Sequence, residues 1–269
     1  MLLKSDPIPT SQAMNKNFIK RQQDKPALTA ALSIVLICTL LTACGGGDDR
    51  MANISGVAYK FNKPFTRIAN ATIRIAEDPS YSAQTDANGF YALNVPAGQP
   101  ATPYIEATGY ASVYLQTFTP TGSVANANFQ TPDTATYAGL YGLLTQIGKG
   151  VAPDTTGCVI VSTVSVAAIR DLTIEQFLSF GAHGYAGAQA TITPAAGTRI
   201  YFNANVLPDP RETATTKDGG VVWTNVPEGL YTLSASDPSK PAQKFATVAV
   251  DCKKGRVINA NPPQGLVGL

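Results

Sequence analysis

Two stretches of this chain, 131 positions apart, spell the same turn and strand. Thr85-Asp86-Ala87-Asn88-Gly89 runs into Phe90-Tyr91-Ala92-Leu93-Asn94-Val95-Pro96-Ala97-Gly98. Thr216-Lys217-Asp218-Gly219-Gly220 runs into Val221-Val222-Trp223-Thr224-Asn225-Val226-Pro227-Glu228-Gly229. Written without a gap, Thr85 meets Thr216, Gly89 meets Gly220, Asn94-Val95-Pro96 meets Asn225-Val226-Pro227, and Gly98 meets Gly229. Such self-similarity marks two copies of one supersecondary unit. In the first copy Asn88-Gly89 can supply the positive φ angles of a tight hairpin turn. Tyr91, Leu93 and Val95 alternate with Ala92 and Asn94 as a half-buried strand does. Pro96, which has no N–H to give to a ladder, ends it.

Further short strands surround each copy. Around the first they are expected at 54–59, 71–75, 103–107 and 112–118, with 125–129 closing the set. After the second they are expected at 230–235, 245–252 and 257–260. With 23 glycines, 19 prolines and only 14% charged residues, the composition suits a β-rich chain with many turns. Frequent turns between short alternating segments point to a sandwich.

This grammar resembles the carboxypeptidase regulatory-like family, which is related to transthyretin-like and collagen-adhesin B-type repeats. The family phrase is a D-x-x-G turn, alternating apolar residues, N-V-P-x-G and a Y-x-L strand. The first copy carries Asp86-Ala87-Asn88-Gly89 and Asn94 to Gly98; the second carries Asn225 to Gly229 with Tyr231-Thr232-Leu233. The first copy has Pro103-Tyr104-Ile105 in place of Tyr-x-Leu, and the second has Lys217 where the aspartate would sit. The resemblance implies an all-β chain of two small antiparallel sandwiches, at 54–130 and 157–262, with 263–269 as a tail. It concerns the noncatalytic sandwich and brings no peptidase residues.

Between the copies, 131–156 reads as a helical linker. Tyr137, Leu140, Tyr141, Leu144 and Ile147 recur at helical spacing, with Asp133 or Thr134 as N-cap and Gly148 as the stop. Gly139 and Gly142 each cost such a helix about 1 kcal/mol. A second interruption, 167–188, lies inside the second copy. There Asp171 or Thr173 can cap a short helix that runs through Phe180 and ends at Gly181. This insertion departs from the family pattern, so an activity peculiar to this chain is expected there or in 203–211.

The front of the chain is of another kind. Lys16, Lys20, Arg21 and Lys25 precede an uncharged apolar run from Ala27 to Ala43, the layout of an export signal over 1–43. Met14 can serve as the start, since the basic region begins only after it. Leu41-Thr42-Ala43-Cys44, followed by Gly45-Gly46-Gly47-Asp48-Asp49, resembles the lipobox of bacterial lipoproteins. By that resemblance Cys44 carries a diacylglyceryl group on its thiol and, after cleavage, an acyl chain on its new amino group. Two or more acyl chains anchor stably where one does not. An uncleaved membrane helix of about 17–25 residues and an ordinary cleaved signal are the competing readings. Residues 44–53 form a flexible tether.

The leader holds five cations and two acids, a net +3, so the formal +2 of the whole leaves the rest at about −1. No basic stripe points to nucleic acid. Two of four cysteines, Cys38 and Cys44, belong to the leader and its cleavage point. Cys158 and Cys252 remain, and in an exported chain such a pair is most simply a disulfide, with free buried thiols the alternative.

Little in the sequence supports chemistry. His183 is the only histidine; a Ser-His-Asp hydrolase would have to use it, yet no Gly-x-Ser-x-Gly elbow occurs. Zinc needs ligands this chain does not pair, and no cofactor motif is present. Asn203, Asn205 and Asp209 depart from calcium-loop spacing and read as turn caps. Tyr81, Tyr104, Tyr110, Tyr114 and Trp223 could form a sugar-stacking platform, although aromatics in β-rich domains more often pack cores. The sequence thus reads as a lipid-anchored protein of the bacterial envelope, outer membrane favoured over inner by Gly45. It is expected to be noncatalytic, without metal or cofactor, and to engage an envelope protein or a glycan.

Overall fold

The computed structural model describes residues 50–181 and 183–269; the leader and Cys44 lie outside the described residues. Among the described residues the chain is all-β, with two α-helices at its departures from the repeat. The first lobe contains β1 (Met51–Lys60), β2 (Lys63–Arg67), β3 (Thr72–Ile75), β4 (Ser82–Gln84), β5 (Phe90–Pro96), β6 (Pro103–Glu106), β7 (Val113–Leu115) and β8 (Phe129–Thr131). Helix α1 (Thr134–Ile147) follows. The second lobe contains β9 (Cys158–Ser165), a 3-10 turn at Ala167–Ile169, α2 (Ile174–Phe180), β10 (Gln189–Thr193), β11 (Thr198–Phe202), β12 (Pro208–Asp209), β13 (Gly220–Val226), β14 (Gly229–Ser236), β15 (Val248–Cys252), β16 (Val257–Asn259) and β17 (Leu266–Val267).

Each lobe is a sandwich. In the first, the sheet β2-β1-β5, with β8 parallel to β1, faces β4-β3-β6-β7. Ile54, Tyr91, Leu93 and Val95 from one side meet Ile73, Ile105 and Leu115 from the other. In the second, β10-β14-β15 faces β9, β11, β13 and β16, with Ile160, Trp223, Leu233, Val250 and Ile258 between them. The Cys158 and Cys252 sulfurs lie 2.14 Å apart and tie β9 to β15 across this second core.

Helix α1 connects the lobes in sequence, but in space they also join directly. Strand β16 lies between β9 and β7, parallel to both, so one sheet path runs β12-β11-β13-β9-β16-β7-β6-β3-β4 through both lobes. Side chains and backbone together seal the seam. Gln116 Nε2 donates to Pro262 O at 2.7 Å, the Thr117 N–H donates to Ala249 O at 3.0 Å, and Arg256 lies 4.5 Å from the centre of the Tyr114 ring.

The repeat recurs residue by residue in the hydrogen bonds, with one shift. Thr85 Oγ1 donates to Ile68 O and accepts the Ala71 N–H; Thr215 Oγ1 donates to Tyr185 O and accepts the Ala188 N–H. Gly89 O accepts the Ala58 N–H as Gly219 O accepts that of Val164. Thr215 and Gly219, not Thr216 and Gly220, are therefore the counterparts of Thr85 and Gly89. The register recovers at a bulge in β13 between Trp223 and Val226, where Asn225 has φ +52°. That one extra residue restores the match of Val95-Pro96 with Val226-Pro227. A second shared device closes each lobe: Asn128 Oδ1 accepts the Val57 N–H at 2.9 Å, and Asn261 Oδ1 accepts that of Thr163 at 2.7 Å.

The Asp86–Gly89 turn is not a hairpin. Asp86 Oδ1 accepts the N–H groups of Asn88 and Phe90, and the chain crosses from the sheet of β4 to that of β5. Only Gly89 of the Asn88-Gly89 pair has positive φ, +72°. A Cβ on Gly89 would collide with the Ala58 carbonyl, and one on Gly219 (φ +76°) with that of Val164. Gly98 also has positive φ, +77°, but open space around it.

These contacts set measurable stabilities. Gly89→Ala and Gly219→Ala are each expected to destabilise by about 2–4 kcal/mol in urea unfolding, against about 1 kcal/mol for Gly98→Ala; equal losses at all three positions would refute the steric explanation. Unreduced peptide maps should join Cys158 to Cys252, and replacing both by alanine should cost about 3–5 kcal/mol for so long a loop. An unchanged unfolding midpoint would show that the bond contributes nothing.

Candidate functional site

The site is built on a face that an ordinary sandwich leaves to water. Strands β9 and β13 are apolar on both sides. Inward go Cys158, Ile160, Val221 and Trp223; outward go Val159, Val161 and Val222, joined there by Ile200, Phe202 and Val257. Strands covered on both faces read as continuous apolar runs. Cys158-Val159-Ile160-Val161 and Val221-Val222-Trp223 are such runs, whereas β5 alternates cleanly.

Two helices stand over this outer face. Asp133 Oδ1 caps α1 through the Thr136 N–H at 2.8 Å, and Gly148 ends the helix. Thr173 caps α2 in a reciprocal box with Gln176, and Gly181, at φ +81°, ends it. The α2 insertion leaves the second copy between Val164 and Tyr185, where the first copy has the β1–β2 excursion between Ala58 and Ile68. Asn126 Nδ2 donates to Leu172 O at 3.2 Å and ties the insertion to the first lobe.

Between the helices and the sheet lies a groove of about 630 Å³. Its floor includes Val159, Val161, Val222 and Val257; its roof includes Tyr137, Leu140 and Leu144; its far wall includes Phe177, Leu178 and His183. Tyr59, Asn128 and Gln130 of the first lobe close one side. Helix α1 has no fully buried residue. Its ends are nevertheless fastened. Lys60 pairs with Asp133 at its start, which holds the Asp133 carboxyl well below the ordinary carboxylate range. Beyond its C-terminus, Asn225 donates from its N–H to Pro153 O at 2.6 Å and from Nδ2 to Ala152 O at 2.8 Å. The bulge residue peculiar to the second copy thus secures the linker. Tyr141 donates to Asp154 Oδ1 at 2.8 Å, and this bond, with desolvation, pushes its phenol up to about 12.

Charged groups in the groove gather at the α2 end. His183 Nδ1 lies 3.2 Å from Gly181 O, and its ring packs 4.5 Å from that of Phe177. Burial raises the Asp218 carboxyl, opposed by a bond from the Gly220 N–H and by the nearby His183. Ser162, in the same groove, donates to Asn261 Oδ1 at 3.1 Å. Among the described residues no group of three or more His, Cys, Asp or Glu could hold a metal. None of their helices is long and apolar enough to cross a membrane.

Other expected sites resolve differently. Trp223 is 1% exposed in the second core, so it cannot present a sugar-stacking face. Tyr104 stacks on Tyr114 at 4.9 Å, Arg256 covers Tyr114, and Tyr81 and Tyr110 pack against the first core. The five aromatics therefore do not make one platform. Asn203 Oδ1 accepts the Asn205 and Leu207 N–H groups, and Asp209 is gripped by Arg211, so this loop is held by turn caps. The two segments where the sequence placed a peculiar activity, 167–188 and 203–211, both line the groove, through Phe177, Leu178 and His183 and through Val206 and Pro208. The double-sided runs in β9 and β13 carried the signal for its floor.

No family model matches the chain, and no curated protein matches it. Among solved structures it is similar to a type II cohesin–X-dockerin complex from Acetivibrio cellulolyticus, at 18% identity and TM-score 0.26, over 30% of this chain and 56% of that one. It is similar to the Bacillus anthracis TIE protein at 12% identity and TM-score 0.25, over 80% and 34%. It is similar to the shaft pilin SpaA of Lactobacillus rhamnosus GG at 12% identity and TM-score 0.23, over 81% and 97%. The chain thus spans about half of the first and a third of the second. At these scores the similarities carry no argument about function.

The fastening of the roof can be tested directly. Asn225→Ala should speed amide hydrogen exchange across 134–156 by about tenfold, the equivalent of about 1.4 kcal/mol, while the strands of the first lobe exchange as before. Unchanged exchange in 134–156 would remove Asn225 from this role.

Proposed function

We propose that this chain is a bacterial envelope lipoprotein, acylated at Cys44, whose paired carboxypeptidase regulatory-like sandwiches form a noncatalytic binding module. The observation that carries the reading is the roofed apolar groove, a concave surface of the size that holds ligands. The leader and its cysteine support the anchor, and a bridge between Cys158 and Cys252 suits an oxidising compartment. Gly45 favours the outer membrane.

Cells fed an alkynyl palmitate should label the native protein, and Cys44→Ala should abolish both the label and membrane sedimentation. Label that persists in Cys44→Ala would end the anchor reading. A hydrolytic activity lost in His183→Ala would replace the binding module by an enzyme.

A further inference from the structure

The lining of the groove restricts what the binding module can take. Helix α1 has no charged residue among its 14. The space beneath it is lined by Tyr137, Leu140, Leu144, Val161, Phe202 and Val257. The roof is fastened at both ends by Lys60–Asp133 and by Asn225, so the space is kept open by specific bonds. Protein interiors otherwise close to the density of organic crystals.

Electrical complementarity restricts the occupant. A charged group under α1 would lose its hydration and find no partner. An extended peptide would bring backbone N–H and C=O groups that need hydrogen bonds; the sheet face has none to spare, and of the amide side chains that line the groove Asn126, Asn128 and Asn261 are already engaged with Leu172, Val57 and Thr163. The matching ligand is long, neutral and without internal polar groups. Arg170, His183 and Asp218 at the α2 end leave room there for a polar terminus. Resting on the membrane-anchored binding module proposed above, we infer that the groove binds one acyl chain of a phospholipid drawn from the bilayer to which the protein is tied. The chain lies beneath α1 and the headgroup toward α2.

The test uses the full chain carrying Cys44→Ser, which bears no lipid of its own. It is mixed with phosphatidylethanolamine vesicles in which part of the lipid has one pyrenyl acyl chain. Uptake should appear as a rise in pyrene monomer emission that saturates at one lipid per chain. Leu140→Glu, on the inner side of the roof, should weaken uptake at least tenfold, and Ala138→Glu, at an exposed position of the same helix, should leave it unchanged. Val161→Asp on the floor repeats the test should Leu140→Glu unsettle the helix. No transfer, transfer that rises without saturation, or uptake unaffected by both groove variants would overturn the proposal. So would a concentration-dependent dimer that excludes the probe, which would make a second copy the occupant. Acylation of native Cys44 is read separately, so anchor and groove can fail independently.

Discussion

The backbone pairing of β16 between β9 and β7 is the constraint on which the architecture depends. Three residues pair poorly alone, but here both edges of the strand are occupied. The pairing also decides which way each lobe faces. In parallel register Ile258 stands beside Tyr114, and Asn259 beside Leu115. Ile258 belongs to the second core and Leu115 to the first, so the two cores lie on opposite faces of one shared sheet. The outer face of the second lobe is therefore continuous with the inner face of the first. The first lobe's other sheet ends beside it and supplies Tyr59, Asn128 and Gln130 as a wall.

A shared sheet of this kind brings an exposure problem. Where the first lobe's second sheet stops, the apolar outer side of β9 and β13 would face water. Helix α1 and the α2 insertion cover it, and both are departures from the repeat. They cover it incompletely: only Val159, Ile200 and Val222 are fully buried there, and Leu144, Ile147, Val161, Phe202 and Val257 remain half-buried. Hydrophobic burial therefore cannot by itself hold α1 in place, and hydrogen bonds from the body take that part.

Much of the sandwich was legible because it is written in local chemistry. Alternation placed β5, proline ended it, the caps placed α1 to within a residue, and of the two caps offered for α2 the chain uses Thr173. What stayed hidden depended on distant partners. Strand β2, Lys-Pro-Phe-Thr-Arg, buries none of its residues and is selected by its pairing with β1, whereas Gln-Ala-Thr-Ile-Thr of β10 and Ile200-Tyr201-Phe202 of β11 did carry strand patterns, short ones whose partners β14 and β13 lie far along the chain. The bulge at Asn225 looked like perfect alignment because the duplicated glycine, Gly219-Gly220, offered a match in either register. The hydrogen bonds of Thr215 and the left-handed Gly219, whose carbonyl accepts the Val164 N–H, distinguish the two. Asn126-Ala127-Asn128 and Asn259-Ala260-Asn261 were a legible repeat in plain sight, since the last residue of each fills the gap beside the first strand of its lobe.

The differences between the copies can be placed on the same footing. Both copies keep the threonine, the left-handed glycine and the closing asparagine, which fold a lobe. The second copy changes at three places: the loop after its first strand, the residue added in β13, and the outward side chains of β9 and β13. One loop becomes α2, the added residue ties the linker that carries α1, and the outward valines make the floor between them. Any one of these alone would be a liability, as an exposed apolar face, an unsupported helix or an idle bulge. Together they bound a single space, and so the departures from the repeat are better understood as parts of one groove than as separate drift.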